Sequence, residues 1–387
     1  MRICLLSKMF PPISGGSSMY AYEIANALGE RGHDVDVYTQ SKAESESTMA
    51  MHDNVSVHTL TKSRKYLVTF ETLYYSLRVR SVVDLDDYDV IHGTLMPAST
   101  IALSDRLTFD TPIVLTSHSF ALSEVFAHSP EKLADYLLKY AFHPMNVVMD
   151  NISARRVDKI IAISEEMREQ IVNSYRIDED SVIRISHGVD TDRYRPREEV
   201  HEAVSDDKLT LLFVGRLITR KGVDLAIRSL AAMENEEAEL LIAGSGRLED
   251  QLKQLAQELG VAGRVRFLGY VPDVELPLLY SSADLTLFTS EYEGFGLVLL
   301  ESLASGTPVV GPPVGGVPDI LENGVSGYIV DRKAQAFASK IDYICNHPQR
   351  LREMSDAARV TATERSWSRV AREVEDLYEE VVDASVR

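Results

Sequence analysis

Two glutamates of this sequence, Glu293 and Glu301, flank a turn that has the residue types of an anion-binding site. The apolar run from Leu285 to Thr289 predicts a strand, and the leucine-rich run from about Gly296 to Gly306 predicts a helix. The first turn of such a helix directs unpaired backbone N–H groups at an anion in front of it, and the helix dipole favours negative charge there. We therefore predict that a diphosphate binds at the amides of Gly294, Phe295, Gly296 and Leu297.

The distance between the two carboxylates limits how the pair can be used. Eight residues at about 1.5 Å rise per residue separate Glu293 and Glu301 by up to roughly 12 Å. The carboxylates of a retaining glycosidase are only about 5 Å apart, so that chemistry is excluded. The spacing suits two carboxylates that bind hydroxyl groups on opposite sides of a diphosphate. A structural turn with a solvated Glu293 is the alternative.

The elements that must position these residues alternate between short apolar runs and helical segments. Near-continuous apolar strands between helices are typical of a parallel sheet covered on both faces. The alternation occurs twice, and the polar stretch from Asp190 to Lys208 separates the two series. The sequence therefore predicts an α/β protein with two doubly wound domains that face a cleft, with ligands at the carboxyl ends of the strands. The predicted strands are Ile3 to Ser7, Val35 to Thr39, Val55 to Leu60, Val90 to Ile91, Ile113 to Ser117, Ile160 to Ile163, Val182 to Ile185, Leu209 to Val214, Leu240 to Ala243, Val265 to Leu268, Leu285 to Thr289, Val309 to Val310 and Tyr328 to Val330.

Length and composition exclude several other classes of protein. The chain has 387 residues, 45% of them hydrophobic and 26% charged, which excludes collagen-like and wholly disordered chains. No stretch approaches the roughly 18 uninterrupted apolar residues of a membrane-spanning helix, and the N-terminus lacks a signal-peptide pattern. Cys4 and Cys345 form neither a disulfide framework nor a metal-ligand cluster, so we expect reduced thiols in a cytoplasmic protein.

The charge of the chain argues against a nucleic-acid partner, and its distribution suggests contact with a membrane surface. The net charge of −19 argues against a nucleic-acid-binding protein. Residues 1–160 carry 15 basic and 19 acidic side chains, whereas residues 161–387 carry 25 and 40, so the first part is the less anionic. Basic residues between Lys62 and Arg80 bracket an apolar segment there, which suits peripheral contact with the inner face of a membrane. A solvated helix with a core-facing apolar stripe is the alternative.

A series of short motifs follows one order along the chain. EGFGLVLLE, which contains Glu293 and Glu301, resembles the E-x7-E signature of the retaining glycosyltransferases of family GT4, and the resemblance extends over nearly the whole chain. The other matching segments are PPISGG at 11–16, DVIH at 89–92, LTSH at 115–118, IIAISEEM at 160–167, HGVD at 187–190, FVGRL at 213–217, AGSGRLE at 243–249, FLGYV at 267–271, GGVPDIL at 315–321 and ENGVSGYIV at 322–330.

This resemblance implies the GT-B fold, which consists of two Rossmann-like domains. Residues 1–190 would form an acceptor-binding domain and residues 191–366 a domain that binds the nucleotide-sugar. The amphipathic segment 367–387 would form a helix that packs back on the first domain.

The resemblance also implies an activity in glycan or glycolipid biosynthesis. We expect a metal-independent hexosyltransferase that uses a UDP- or GDP-linked sugar, needs no cofactor and forms an α-linkage to a glycan, lipid or small-molecule acceptor. Both double displacement and front-face attack could retain configuration, and the family favours the second. A sugar-nucleotide 2-epimerase of the same fold and a non-catalytic sugar-nucleotide-binding protein are the alternatives.

Four residues are carried over as the catalytic set. Arg216 and Lys221 would neutralise the departing diphosphate, and a solvated charge pair is their alternative. Glu293 would bind the hydroxyls of the donor sugar, so Glu293→Gln should leave the affinity for free NDP nearly unchanged. His118 would lie beside that sugar, although a lone histidine at a strand end can also be structural.

The remaining candidates would bind the rest of the donor. Glu301 would hold the ribose hydroxyls, and Tyr270 and Val271 would border the base. Gly244 resembles part of a nucleotide loop, with a strand-to-helix turn as the alternative. Gly15 and Gly16 would let the first loop approach phosphate or acceptor, or form a plain tight turn. Asp84 and Asp86 imitate a D-x-D metal-binding motif, but they lie in an acidic surface run. We therefore predict no metal site.

Overall fold

The computed structural model describes residues 1–11, 15–41, 50–62, 68–94, 101, 110–118, 143–205 and 207–385. The chain forms two compact units. One comprises Met1–His187 together with Trp367–Arg387, and the other comprises Gly188–Ser366.

The first unit contains a parallel sheet whose strands have the order β3-β2-β1-β4-β5-β6-β7 among the described residues. The strand Arg2–Ser7 lies inside this sheet, and its residues Ile3 to Leu6 are completely buried, as expected for a strand covered on both faces. The strands that the sequence predicts for this unit overlap the observed strands. The strands are β1 (Arg2–Ser7), β2 (Asp34–Ser41), β3 (Val55–Lys62), β4 (Val90–Thr94), β5 (Ile113–Ser117), β6 (Lys159–Ala162) and β7 (Val182–Arg184), and the helices α1 (Gly16–Glu30), α2 (Val68–Val82), α3 (His143–Ala154) and α4 (Glu165–Tyr175).

The second unit repeats the design with the strand order β10-β9-β8-β11-β12-β13. All of its strand pairs are parallel. The order reverses direction beside β8, and in sheets of this type ligands bind at such a reversal, at the carboxyl ends of the strands. The strands are β8 (Thr210–Val214), β9 (Glu239–Ala243), β10 (Val265–Gly269), β11 (Leu285–Leu287), β12 (Val309–Gly311) and β13 (Gly327–Ile329), and the helices α5 (Val223–Ala231), α6 (Glu249–Glu258), α7 (Leu276–Ser282), α8 (Leu297–Ala304), α9 (Val317–Ile320), α10 (Ala334–Cys345) and α11 (Pro348–Thr363).

The last helix, α12 (Trp367–Ser385), returns to the first unit and packs against α1. Its apolar residues recur every three or four positions and are buried, and each fully buried large side chain contributes about 1.5–3 kcal/mol. Arg31 donates to the carboxylate of Glu375, and Nε2 of His33 lies 2.7 Å from its other oxygen. These contacts fasten the two helices together, as the resemblance implied.

The basic segment between Lys62 and Arg80 is covered only in part. Residues 63–67 and the side chains of 61–73 lie outside the described residues, and Lys62, Arg64 and Lys65 are among them. On α2, Tyr75 and Val79 are buried in the core, whereas Tyr74 and Leu77 are 57% and 53% exposed. The helix therefore has both a core-facing stripe and an exposed apolar face. Among the helices that the structure describes, none is long and apolar enough to cross a membrane.

Candidate functional site

A turn after β8 carries the predicted cations of the second unit. It ends in a short 3-10 segment, Thr219–Lys221, followed by Gly222 with a φ of +64°. A Cβ at Gly222 would lie 2.3 Å from the backbone oxygen of Thr289, so only glycine allows this close approach. The hydroxyl of Thr289 donates to the carbonyl of Lys221 over 3.0 Å. The Lys221 segment is thus fixed directly against the residues that follow β11.

This approach brings Glu293 to the cations. Its Oε2 pairs closely with Nζ of Lys221 and accepts from Nη1 of Arg220 over 3.2 Å. The side chains of Glu293 and Lys221 are only 15% and 14% exposed. Burial alone would raise the pKa of Glu293, but Lys221 and Arg220 outweigh it and hold that pKa below its ordinary value. Glu293 is therefore an ionised carboxylate paired with two cations.

The turn between Glu293 and α8 is held by a pair of glycines from another loop. The N–H of Gly316 donates to the carbonyl of Phe295 over 3.0 Å, and a Cβ at Gly315 would lie 2.5 Å from the backbone oxygen of Glu293. Gly296, with a φ of +100°, precedes the helix. Among the described residues, the backbone N–H groups of Leu297 and Val298 have no hydrogen-bond partner. Helix α8 therefore begins with two N–H groups that are unpaired within the described part of the chain, and the binding of an anion there stays a prediction.

Glu301 lies on α8 in a very different environment. The hydroxyl of Tyr280 donates to its Oε2 over 3.0 Å, and Tyr194 lies close enough to influence its pKa. The two tyrosine rings meet edge to face at 6.0 Å. Burial raises the pKa of Glu301 above its ordinary value, although Tyr280, Arg193 and Tyr194 act in the opposite direction. Among the described residues this carboxylate is hydrogen-bonded by a hydroxyl group and forms no ion pair.

Three other predicted segments meet at the carboxyl ends of β8, β9 and β10. The N–H of Gly244 donates to the carbonyl of Gly269 over 2.7 Å, and a Cβ at Gly244 would lie 1.9 Å from the backbone oxygen of Gly215. Close packing of strand ends therefore explains Gly244 by itself. Arg216 is exposed and, within the described part of the chain, forms no ion pair. The ring of Tyr270 is 73% exposed, whereas Val271 is buried.

The remaining predicted residues, Gly15, Gly16 and His118, belong to the first unit. Gly15 caps α1 with a φ of +152°, a conformation that other residues rarely adopt, and both glycines are exposed. Residues 12–14 of the same predicted loop lie outside the described residues. The glycines therefore start α1, and their contact with a ligand stays a prediction.

His118 is held in a group of aromatic rings at the end of β5. Its Nδ1 lies 3.2 Å from Nε2 of His187, and its ring packs edge to face on Tyr20 at 4.7 Å. Burial, with smaller contributions from His187 and His92, holds the pKa of His118 far below its ordinary value, so the ring is neutral. Its Nε2 is buried and has no hydrogen-bond partner among the described residues. That nitrogen is the one polar contact of His118 left for a ligand.

Sequence reasoning missed three side chains of the second unit's site. Arg220 immediately precedes the predicted Lys221, and this adjacency is the signal that could have revealed it. Tyr280 and Tyr194 precede Glu301 by 21 and 107 residues, so nothing in the local pattern links them to that carboxylate. Tyr194 comes near Glu301 only because the segment before β8 returns to pack near α8.

The described residues contain no group of three or more His, Cys, Asp or Glu side chains that could hold a metal ion. The carboxylate of Asp84 instead accepts from the backbone N–H of Asp86 over 3.3 Å and caps a short 3-10 turn. The D-x-D sequence therefore has a structural use.

Two protein families match the sequence of the chain. "Glycosyltransferase Family 4" matches residues 14–193, and "Glycosyl transferases group 1" matches residues 195–361. Together they cover most of both units.

Individual relatives agree with these matches. The D-inositol 3-phosphate glycosyltransferase of Corynebacterium aurimucosum is 26% identical, over 100% of this chain and 97% of its own. Sucrose-phosphate synthase of Thermosynechococcus elongatus superposes with a TM-score of 0.85 and 22% identity, over 99% of each chain. HepE of Anabaena, solved in complex with UDP and glucose, superposes with a TM-score of 0.75 and 20% identity, over 98% of this chain and 100% of its own. The two structures share the fold of this chain.

Proposed function

The chain belongs to glycosyltransferase family 4 and has the GT-B fold, and from this premise we propose that it transfers a hexosyl unit from a UDP- or GDP-linked sugar. Transfer retains the configuration of the donor, gives an α-linkage and uses a glycan, lipid or small-molecule acceptor. One observation carries the proposal: the amide-lined start of α8 lies between an ion-paired Glu293 and a hydroxyl-held Glu301. The UDP bound to HepE, a protein of the same fold, supports a nucleotide donor.

The second unit would bind the diphosphate and stabilise it as it leaves. The N–H groups at the start of α8, with Lys221 and Arg216, are donors that can meet the negative charge that develops on the leaving phosphate. Such groups accelerate transfer when they bind that charge more tightly in the transition state than in the ground state. With this set of cations, we propose that transfer needs no metal ion and no cofactor.

The two carboxylates would bind hydroxyl groups at the two ends of the diphosphate. An ionised carboxylate offers about four lone pairs, so Glu301 can accept from the ribose while the hydroxyl of Tyr280 still orients it. Glu293 would accept from hydroxyls of the sugar. The exposed ring of Tyr270 and the backbone of Val271 would border the base.

The role of His118 stays a prediction. Its unpartnered Nε2 is suited to a contact with a neutral hydroxyl group, because the imidazole is neutral. The retention mechanism also stays open between double displacement and front-face attack.

Product analysis tests the proposal directly. A thermal-shift panel of UDP- and GDP-sugars first selects the donor, since a ligand at 100 times its Kd stabilises the protein by about 2.7 kcal/mol. Incubation with candidate acceptors in EDTA should then release NDP and yield an α-linked product by NMR. An epimerised nucleotide-sugar would establish the epimerase instead, and binding without NDP release with any acceptor would establish a binding protein. A strict requirement for Mg²⁺ or Mn²⁺ would contradict the metal-free site.

We also propose that the exposed face of α2 contacts an anionic membrane. Tyr74 and Leu77 are exposed there, and Arg78 and Arg80 on the same helix are exposed cations. Flotation with vesicles that contain phosphatidylserine should be lost when Arg78 and Arg80 are both replaced by Glu. The matched control replaces the exposed Arg352 and Arg372 by Glu, with the same change of charge. Equal flotation of both variants would remove the membrane contact.

A further inference from the structure

Glu293 pairs with two cations, Lys221 and Arg220, that lie against the loop after β11. Lys221 and Arg220 both contact its Oε2, and the hydroxyl of Ser290 lies 3.4 Å from the same atom. The proposed phosphate-binding lysine is therefore neutralised by the chain itself. A donor whose phosphate binds Lys221 therefore competes with this carboxylate.

We propose that Arg220 is a second diphosphate-binding cation, and that Glu293 is an internal counterion which the donor diphosphate displaces from Arg220 and Lys221. The inference rests on the proposed function of the site. It assigns Glu293 a second role, because the displaced carboxylate is then available to accept from the sugar.

The contacts of Arg220 suit such an exchange. Its Nη1 also donates to the carbonyl of Tyr292 over 3.1 Å, so the guanidinium keeps a backbone anchor when the carboxylate leaves. The side chain of Arg220 is 30% exposed, against 14% for Lys221. Arg220 can therefore meet an incoming anion without being exposed to bulk water on every side. A guanidinium also offers several donors in one plane, which matches the oxygens of a phosphate.

The contacts described above involve only one oxygen of the Glu293 carboxylate. Its Oε2 receives all the contacts described above, and Oε1 receives none of them. A diphosphate brings more negative charge and more acceptor oxygens than one carboxylate does, so it competes well for both cations.

The exchange has different consequences for the donor and for the spent nucleotide. When the intact donor binds, the displaced Glu293 gains hydroxyl groups of the sugar as partners. When free NDP binds, the same carboxylate loses two cations and gains no sugar, and it stays close to a second anion. Glu293 would therefore weaken the binding of free NDP relative to that of the intact donor, and this favours release of the product.

The test is a calorimetric titration of UDP and GDP into wild-type protein and three variants of the full chain. Glu293→Gln should bind free NDP roughly tenfold more tightly, because the cations lose their internal competitor. Glu291→Gln is the matched control: it removes one charge from the exposed side chain two residues earlier, and we expect a change below about twofold. Arg220→Gln should weaken NDP roughly tenfold if this cation binds phosphate.

The outcomes separate the two proposals. Weaker or unchanged NDP binding by folded Glu293→Gln, or equal tightening by Glu291→Gln, overturns the counterion exchange alone. If Glu293→Gln does not fold, Arg220→Gln decides, and wild-type NDP affinity in that variant overturns the inference. Absence of binding of either nucleotide to the wild-type protein contradicts the proposed function itself.

Discussion

Glu293 and Glu301 are only eight residues apart, yet the second unit surrounds them with opposite chemistry. Glu293 is paired with Lys221 and Arg220, which hold its pKa below the ordinary value. Glu301 is buried and accepts a hydrogen bond from the hydroxyl of Tyr280, and burial raises its pKa. The surroundings thus shift the pKa values of two glutamates in opposite directions.

The difference indicates which ligand groups each carboxylate can exchange. The partners of Glu293 are cations, so an anion can replace it there. The hydrogen-bond partner of Glu301 among the described residues is the hydroxyl of Tyr280, so further hydroxyl groups, such as those of a ribose, can join it without a change of charge. The comparison therefore supports the proposal that Glu293 binds at the phosphate and sugar end of the donor and Glu301 at the nucleoside end.

The largest effect is expected from removal of the cation shared by carboxylate and phosphate. Lys221→Met should lower the rate of transfer about 100- to 1,000-fold, the usual cost of one donor that stabilises a developing anion. Lys333→Met, which removes an exposed lysine beside Asp331, is the control and should keep wild-type turnover. Steady-state release of NDP measures both, and equal rates in the two variants would exclude Lys221 from the site.

A smaller effect is expected at the hydroxyl-held carboxylate. Tyr194→Phe removes one phenol that lowers the pKa of Glu301, so this pKa should rise further. An ionised Glu301 accepts ribose hydroxyls, and the affinity for NDP should therefore begin to fall at a higher pH than in the wild type. At pH 7 we expect about threefold weaker binding. An unshifted pH profile of Kd would show that Tyr194 merely packs against Tyr280.

The smallest effect concerns stability. The raised folded pKa of Glu301 means that the folded state binds its proton more strongly, so this group lowers the free energy of unfolding as pH rises from the ordinary glutamate pKa to the raised value. The lowered pKa of Glu293 acts oppositely: its stabilisation is present above the ordinary value and is lost as pH falls through the folded pKa. Near neutral pH, Glu301→Gln should therefore raise the unfolding temperature and Glu293→Gln should lower it.

Differential scanning calorimetry between pH 4 and pH 8 measures these shifts. We expect about 2–4 °C in either direction, the size that about 1 kcal/mol produces in a unit of this length. Both differences should shrink at the acid end. Shifts of the same sign in the two variants would show that the neighbours do not separate the carboxylates.

Much of this comparison could be predicted from the sequence, because it follows from local patterns. The strand before Glu293, the glycine turn and the helix that carries Glu301 were each indicated by apolar runs and glycine positions, and all three are present. The return of the last helix to the first unit was implied by resemblance and its amphipathic pattern.

The partners of the carboxylates could not be predicted in the same way. Arg220 reaches Glu293 only because Gly222 allows two loops to touch, and Tyr194 reaches Glu301 from 107 residues away. The sequence alone, without these contacts, predicts that Glu293→Gln leaves the affinity for free NDP nearly unchanged. The ion pairs supply a reason for a change, because a diphosphate at Lys221 and Arg220 would compete with Glu293 for the same cations.

The most direct test of the central account is a calorimetric titration of free NDP and intact NDP-sugar into Glu293→Gln and Glu301→Gln, each first shown to be folded. Glu301→Gln should weaken both ligands about 10- to 150-fold, since the ribose contact of roughly 1.5–3 kcal/mol exists with or without the sugar. Glu293→Gln should bind free NDP more tightly while it loses the preference for the intact donor. Equal losses of NDP affinity in the two variants, or wild-type affinity for both ligands in both, would contradict the separate roles of the two carboxylates.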